Sequence, residues 1–188
     1  MSQSSGLSQW LEKDLGELEG LLRGLKPEDA EALWDEVLGA KRVFVLGAGR
    51  SGLMLKAFAM RLMHIGLTAH VVGEVSTPSA GRGDLLIVAS ASGSTGTIVA
   101  GARLARRAGA RIAALTAGAT SPIGRVANVS VRFKGASTKK RGFPLEGMPL
   151  GTVFEQALLV FLDCSVASLA ARLGVTEDDM RSRHANLE

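Results

Sequence analysis

Cysteine occurs once, at Cys164, so no disulfide can form within the chain. That suits a reducing compartment, and the cytoplasm is the expected location. Cys164 lies in an apolar helical pattern with no basic neighbour in sequence, so it reads as a small core residue and not as a nucleophile. Aromatic residues are scarce, at 4% of the chain, and the basic residues are scattered. A net charge of +4 is compatible with an anionic ligand, but without interleaved aromatics it does not describe a nucleic-acid surface. The densest basic cluster, Lys139, Lys140 and Arg141, sits among glycine and proline and reads as a solvated loop. No spaced His/Cys cluster fits zinc, and no metal is expected. The opening stretch "MSQSSGLSQWLEKDL" lacks the basic start and apolar centre of a signal peptide. No stretch reads as long and uncharged enough to span a bilayer, so no membrane is expected. Internal repeats and low-complexity tracts are also missing.

What is present fits one domain of 188 residues, 46% of them apolar. Leu7, Leu11, Leu18, Leu21, Leu22 and Leu25 recur at three- and four-residue steps and predict an amphipathic helix, locally weakened by Gly16 and Gly20. Pro27, Glu28 and Asp29 suit the first turn of a second helix running to about Gly39. From residue 42 the pattern alternates. "RVFVLGAG", "TAHVVG", "DLLIVASA", "RIAALTAG" and "NVSVRF" read as strands, and the first, continuously apolar, as one covered on both faces. Between them lie helical stretches, the shortest, "SPIGRVA", with Ser121 as its cap. Residues 134–151 read as a loop, and "TVFEQALLVFLDCSVASLAARLG" as a long, largely buried helix. Thr176 and Asp179 suit the cap of a last one. The expected fold is α/β, a five-stranded doubly wound parallel sheet. Residues 1–40 would form two extra N-terminal helices, 41–173 the sheet and its covering helices, and 174–188 a tail helix.

Ligands on such sheets bind beyond the carboxyl ends of the strands, at the switch point of the winding. Two loops fall there. "GAGRSG", after the first strand, satisfies G-x-G-x-x-G through Gly47, Gly49 and Gly52 and permits a dinucleotide. Against that, Glu74 comes late for a ribose-binding acid, and no second domain is present to hold a hydride acceptor. The other loop, "SASGST", packs Ser90, Ser92, Ser94 and Thr95 around Gly93 with no charge. A helix cap would need only one of those hydroxyls. Dense hydroxyls, a glycine and a following helix N-terminus suit a phosphate monoester.

The two loops together resemble the SIS (sugar isomerase) domain. "LGAGRSG", "AFAMRLMHIG", "GEVSTP", "GDLLIVASASGST", "PLGTVFEQ" and "RHANLE" narrow the resemblance to the 6-phospho-3-hexuloisomerase family. It covers nearly all of the chain from residue 42, and one departure is Ser94, where that family usually has glutamate. The resemblance implies a flavodoxin-like strand order. It also implies isomerisation between 3-hexulose 6-phosphate and fructose 6-phosphate, without cofactor, as a homotetramer in the ribulose monophosphate route of formaldehyde assimilation. Functional coupling to a 3-hexulose-6-phosphate synthase would follow.

Moving a carbonyl to the next carbon needs a base, donors for the oxygens and a phosphate grip. Glu155 is the candidate base. Thr152 and Glu155 also spell a T-x-x-E capping box, which explains the same carboxylate structurally; the resemblance favours the base. Gly49, Arg50 and Ser51 follow the first strand, where the permanent charge of Arg50 could steady an enediolate or form a surface ion pair. His70 reads as structural. His64 closes the helix that begins near Ser51, roughly 20 Å from that loop at about 1.5 Å per residue. It could act only in a neighbour's site, or else serve as a charge partner for its own helix end. His184 is a candidate through the match at "RHANLE". A sensor that binds sugar phosphate without chemistry is the alternative, and it would need no base.

Overall fold

The computed structural model describes residues 6–118, 120–136 and 147–187. The Lys139–Arg141 cluster lies outside them. Helices α1 (Leu7–Arg23) and α2 (Pro27–Gly39) precede β1 (Val43–Gly47) and α3 (Gly49–His64). Next come β2 (Ala69–Val71), β3 (Leu85–Ala89), α4 (Gly96–Arg107) and β4 (Arg111–Thr116). The described chain ends with α5 (Pro122–Val126), β5 (Val129–Arg132), α6 (Thr152–Leu173) and α7 (Glu177–Ser182). The strands form one parallel sheet in the order β2-β1-β3-β4-β5. This is the α/β, doubly wound, flavodoxin-like arrangement expected from the sequence.

The two-residue period of the strands sorts the core into two layers. Val43, Val45, Leu85, Ile87, Ala113 and Leu115 face the layer that α1, α2, α3 and α6 complete. Phe44, Leu86, Val88, Ile112 and Ala114 face the layer under α4 and α5. All five residues of β3 are buried, as the central strand's apolar run requires. Its four larger side chains, Leu85, Leu86, Ile87 and Val88, contribute about 1.5–3 kcal/mol each on leaving water.

Local signals hold at several ends. Pro27 stands in the first turn of α2 with Glu28 and Asp29. The Ser121 hydroxyl accepts from the Gly124 amide at the start of α5. Thr176 and Asp179 form the reciprocal capping box of α7.

Two expectations change at α6. Cys164 is exposed, not a core residue. Phe154, Leu158, Phe161, Leu162 and Leu169 of the same helix are buried, whereas Val160 and Cys164 are not. The helix is apolar on every face, so its sequence carries no period from which the covered face can be read. By the same token α6, with 22 residues and a mean hydropathy of 1.6 over an 18-residue window, is long and apolar enough to cross a membrane by length and composition, contrary to the sequence expectation. In the fold, its inward residues join the core layer with α1 and α3.

Candidate functional site

Parallel pairing sets Gly47 of β1 opposite Ala89 of β3, so the two loops beyond these strands open side by side. The first is a tight strand-to-helix turn. A Cβ on Gly47 would lie 2.8 Å from the Cα of Gly52, which requires bare backbone at that crossing. Gly49, at φ +55°, starts α3 there. Arg50 and Ser51 follow in its first turn.

The hydroxyl loop is wound around Gly93, at φ +62°. A Cβ there would meet Ser121 Cβ at 2.2 Å and Thr116 Oγ1 at 2.8 Å, so only glycine fits. Ser90 is buried; its Oγ lies 2.9 Å from Thr95 Oγ1 and accepts from the Gly93 amide at 3.1 Å. Ser92 and Ser94 are exposed, with their hydroxyls 3.0 Å apart. The four hydroxyls therefore divide into a pair bonded to each other, Ser90 and Thr95, and a more exposed pair, Ser92 and Ser94. Thr95 is the N-cap of α4, yet its side chain makes no capping hydrogen bond. The first amides of α4 lack intrahelical partners and follow directly on this loop, an arrangement suited to an anion.

Glu155 projects from the first turn of α6 toward the first loop. Its Oε2 lies 3.3 Å from Arg50 Nε, and Ser51 is a further hydrogen-bonding partner. The T-x-x-E string does not form a capping box. Gly151 is the N-cap, without a side-chain bond, and Thr152 is already helical. The Thr152 hydroxyl instead donates to the Pro149 carbonyl at 2.7 Å and accepts from Arg50 Nη1 at 3.3 Å. Glu155 is thus free of helix-end duty. Its side chain is 16% exposed. Burial raises the carboxyl above its ordinary range, and the Arg50 charge and the Ser51 hydrogen bond pull it only partly back. A carboxyl raised in this way holds a proton more readily than an ordinary carboxylate, which suits a general base.

The histidines lie elsewhere. His64 closes α3, whose 16 residues span roughly 24 Å at about 1.5 Å each. It is buried, and its ring stacks on that of His184 at a centroid distance of 5.2 Å. The Arg183 guanidinium donates to the His64 carbonyl at 3.0 Å and pins the tail there. Burial lowers the His64 pKa, and the charges of His184 and Arg61 add to that, so a charged partner for the helix end is not what His64 supplies. The fold brings Glu155, Arg50 and Ser51 together and places His64 and His184 together at the far end of α3. His70 pairs with Phe44 across β1 and β2, their rings 5.2 Å apart.

Sequence reasoning missed the part that three residues play in the site, at two places. Thr116 and Ser121 form the floor beneath Gly93, and Thr152 joins Arg50 to the turn before α6. The end of β4 beside the end of β3 was the signal for the first. Nothing local signals the second, because Arg50 and Thr152 are 102 residues apart.

A parallel sheet with a hydroxyl loop, a helix N-terminus and a mostly buried carboxyl at one end defines a doubly wound α/β domain with a site suited to an anionic ligand. The chain belongs to the SIS domain family, whose description matches residues 36–160. It is 39% identical over 182 residues to the 3-hexulose-6-phosphate isomerase of Bacillus subtilis, covering 96% of this chain and 98% of that one. The 3-hexulose-6-phosphate isomerase of Mycobacterium gastri is 44% identical over 162 residues, 86% of this chain and 81% of its own. A crystal structure from Methanococcus jannaschii, of a protein for which that isomerase function was inferred, superposes with a TM-score of 0.82 at 32% identity. It covers 95% of this chain and 98% of its own.

Proposed function

We propose that this chain is a 3-hexulose-6-phosphate isomerase that works without a cofactor. The observation that carries the reading is Glu155: a mostly buried carboxyl, released from capping, beside Arg50 and Ser51 at the ligand end of the sheet. A sugar-phosphate sensor would have no use for such a group. The similarity to named isomerases over almost the whole chain supports the substrate.

The chemistry assigns roles. The more exposed hydroxyls Ser92 and Ser94, with Thr95 and the first amides of α4, hold the phosphate. Ser90 keeps the loop in shape. Glu155 takes the proton from the carbon bearing the hydroxyl next to the carbonyl. The electron pair forms the double bond of the enediolate, whose charge rests first on the former carbonyl oxygen; the proton of the neighbouring hydroxyl then passes to that oxygen, leaving the charge on the neighbour. Collapse in the other direction makes the neighbouring oxygen the carbonyl, and Glu155 returns its proton to the former carbonyl carbon. Arg50 stands where it can share the negative charge of the intermediate. Gly49 and Ser51 position the sugar end.

His64 and His184 act, in this reading, in the site of a neighbouring subunit, which makes the enzyme an oligomer; we favour the tetramer. Leu7, Leu11 and Leu15 on α1 and Leu53, Met60 and Met63 on α3 leave apolar surface for such contacts. Sedimentation giving an active monomer would refute this. The setting would be formaldehyde assimilation in the cytoplasm, in functional coupling with the synthase.

The test mixes the protein with a 3-hexulose-6-phosphate synthase, ribulose 5-phosphate and formaldehyde, and measures fructose 6-phosphate. Formation dependent on this chain is expected. A synthase that turns over while no fructose 6-phosphate appears overturns the reading.

A further inference from the structure

We propose that Thr152 is a positioning residue, whose hydroxyl, clasped to the Pro149 carbonyl, holds the Arg50 guanidinium against Glu155. Its functional consequence rests on Glu155 being the base.

Arg50 has little else to hold it. Its side chain is 48% exposed. A long side chain in water does not keep one geometry for a single carboxylate contact at 3.3 Å, because the entropy of fixing it offsets the attraction. A second anchor changes that. Nη1 donates to Thr152 Oγ1 at 3.3 Å while Nε faces Glu155, so two edges of one rigid plane are fixed together.

The Thr152 hydroxyl is suited to this. It can donate one proton, and that proton goes to the Pro149 carbonyl at 2.7 Å, which points its lone pairs away from that oxygen. The Thr152 amide donates to the same carbonyl at 3.2 Å. Both bonds close the turn around Leu150, which sits at φ +53°, the left-handed region that a leucine rarely adopts. Leu150 is the only described non-glycine residue with a positive φ. Thr152 thus ties a strained turn, the arginine and the carboxyl into one unit, although its own helix does not use it as a cap.

The consequence is electrostatic. Arg50 lowers a Glu155 carboxyl that burial raises. Releasing Arg50 into water therefore lets the carboxyl titrate at a still higher pH.

Thr152→Val keeps the shape and removes the hydroxyl, whereas Thr152→Ser keeps the hydroxyl. The Glu155 carboxyl is followed by carbon-13 NMR through a pH titration, alongside the pH profile of kcat/KM. Thr152→Val should move the Glu155 titration up by roughly half a pH unit, the size of a partly exposed ion pair, and Thr152→Ser should restore it. Arg50→Gln should produce the same rise, and adding Thr152→Val to it should produce no more. If Thr152→Val fails to fold, Thr152→Ala removes the same hydroxyl. A Glu155 titration unchanged on loss of the hydroxyl, or a second rise on top of Arg50→Gln, overturns the proposal. The acid limb of kcat/KM separates it from the functional reading. A titration that moves while the acid limb stays supports the positioning and refutes Glu155 as the base.

Discussion

The sheet carries an arginine–carboxylate pair at each end, and the two pairs are opposites. At the amino end, Arg42 and Asp84 stand just before the adjacent strands β1 and β3. Arg42 Nε donates to Asp84 Oδ1 at 3.0 Å and Nη2 to Oδ2 at 2.7 Å, while the Gly81 amide donates to Oδ2 at 2.8 Å. The Asp84 carboxyl is fully buried, and the Arg42 hydrogen bonds hold it below its ordinary range despite burial. At the carboxyl end, Arg50 meets Glu155 through one contact at 3.3 Å, and there burial wins and the carboxyl is raised. The fork geometry holds the first pair; the second makes a single arginine contact, with Ser51 beside it. A carboxylate held by a fork fixes chain ends. One that burial raises, at the ligand end, is available for proton transfer.

The strongest way to break this comparison is to neutralise each carboxyl in turn. Glu155→Gln keeps the shape and removes basicity. It should cut kcat by roughly 10²–10⁴-fold, the usual share of a positioned general base. Melting and substrate binding should stay near normal, and exchange of solvent deuterium into the sugar should cease. A wild-type rate in this variant would move the base to another residue.

The phosphate grip comes next. Ser92→Ala with Thr95→Ala removes one hydroxyl of each pair. KM for the sugar phosphate should rise by roughly 100-fold or more, as each of the two lost hydrogen bonds to a charged group is worth about 1.5–3 kcal/mol. Unchanged KM in a folded double variant would sink the assignment.

Asp84→Asn then sharpens the other half of the comparison. It leaves a partly buried guanidinium without its countercharge, at a cost of about 1–3 kcal/mol, less than for a fully buried pair because Arg42 is one-third exposed. Denaturant unfolding should show the loss, and kcat per folded molecule should not change. A fall in kcat equal to that of Glu155→Gln would erase the distinction between the two ends.

The sequence makes the architecture legible because its local signals agree with one another. Continuous apolar runs mark the strands, proline and acids mark the start of α2, and Thr176 with Asp179 marks α7. The loops were legible too, since a strand followed by dense hydroxyls or by spaced glycines has few uses. The pairing of Arg50 with Glu155 and Thr152 was not, because it is made by the packing of α3 on α6. The string T-x-x-E misleads for a plain reason. The helix starts one residue earlier than the box requires, so the threonine is inside it and its hydroxyl turns to Pro149. Cys164 misleads because an evenly apolar helix hides which face is covered. The stacking of His184 on His64 joins residues 120 apart in sequence, with only the tail motif to suggest that the end of the chain is used.

The smallest expected effect concerns that histidine pair, stacked at the far end of α3. His64 is buried, and its pKa lies below the ordinary value of 6.5, first through burial and then through His184 and Arg61. The folded state thus disfavours the protonated ring relative to the unfolded chain. The contribution to stability is present in full above about pH 6.5 and is lost as pH falls through the lower, folded value. Urea unfolding should show stability falling by less than about 1 kcal/mol between pH 7.5 and 5.5 from this source, within the size of a modest pKa shift. His64→Gln should flatten that part of the slope, since an amide does not titrate. His184→Ala should leave it partly in place, because burial is the larger cause. A slope unaltered by His64→Gln would assign the pH dependence to other groups and leave the stacked rings as packing alone.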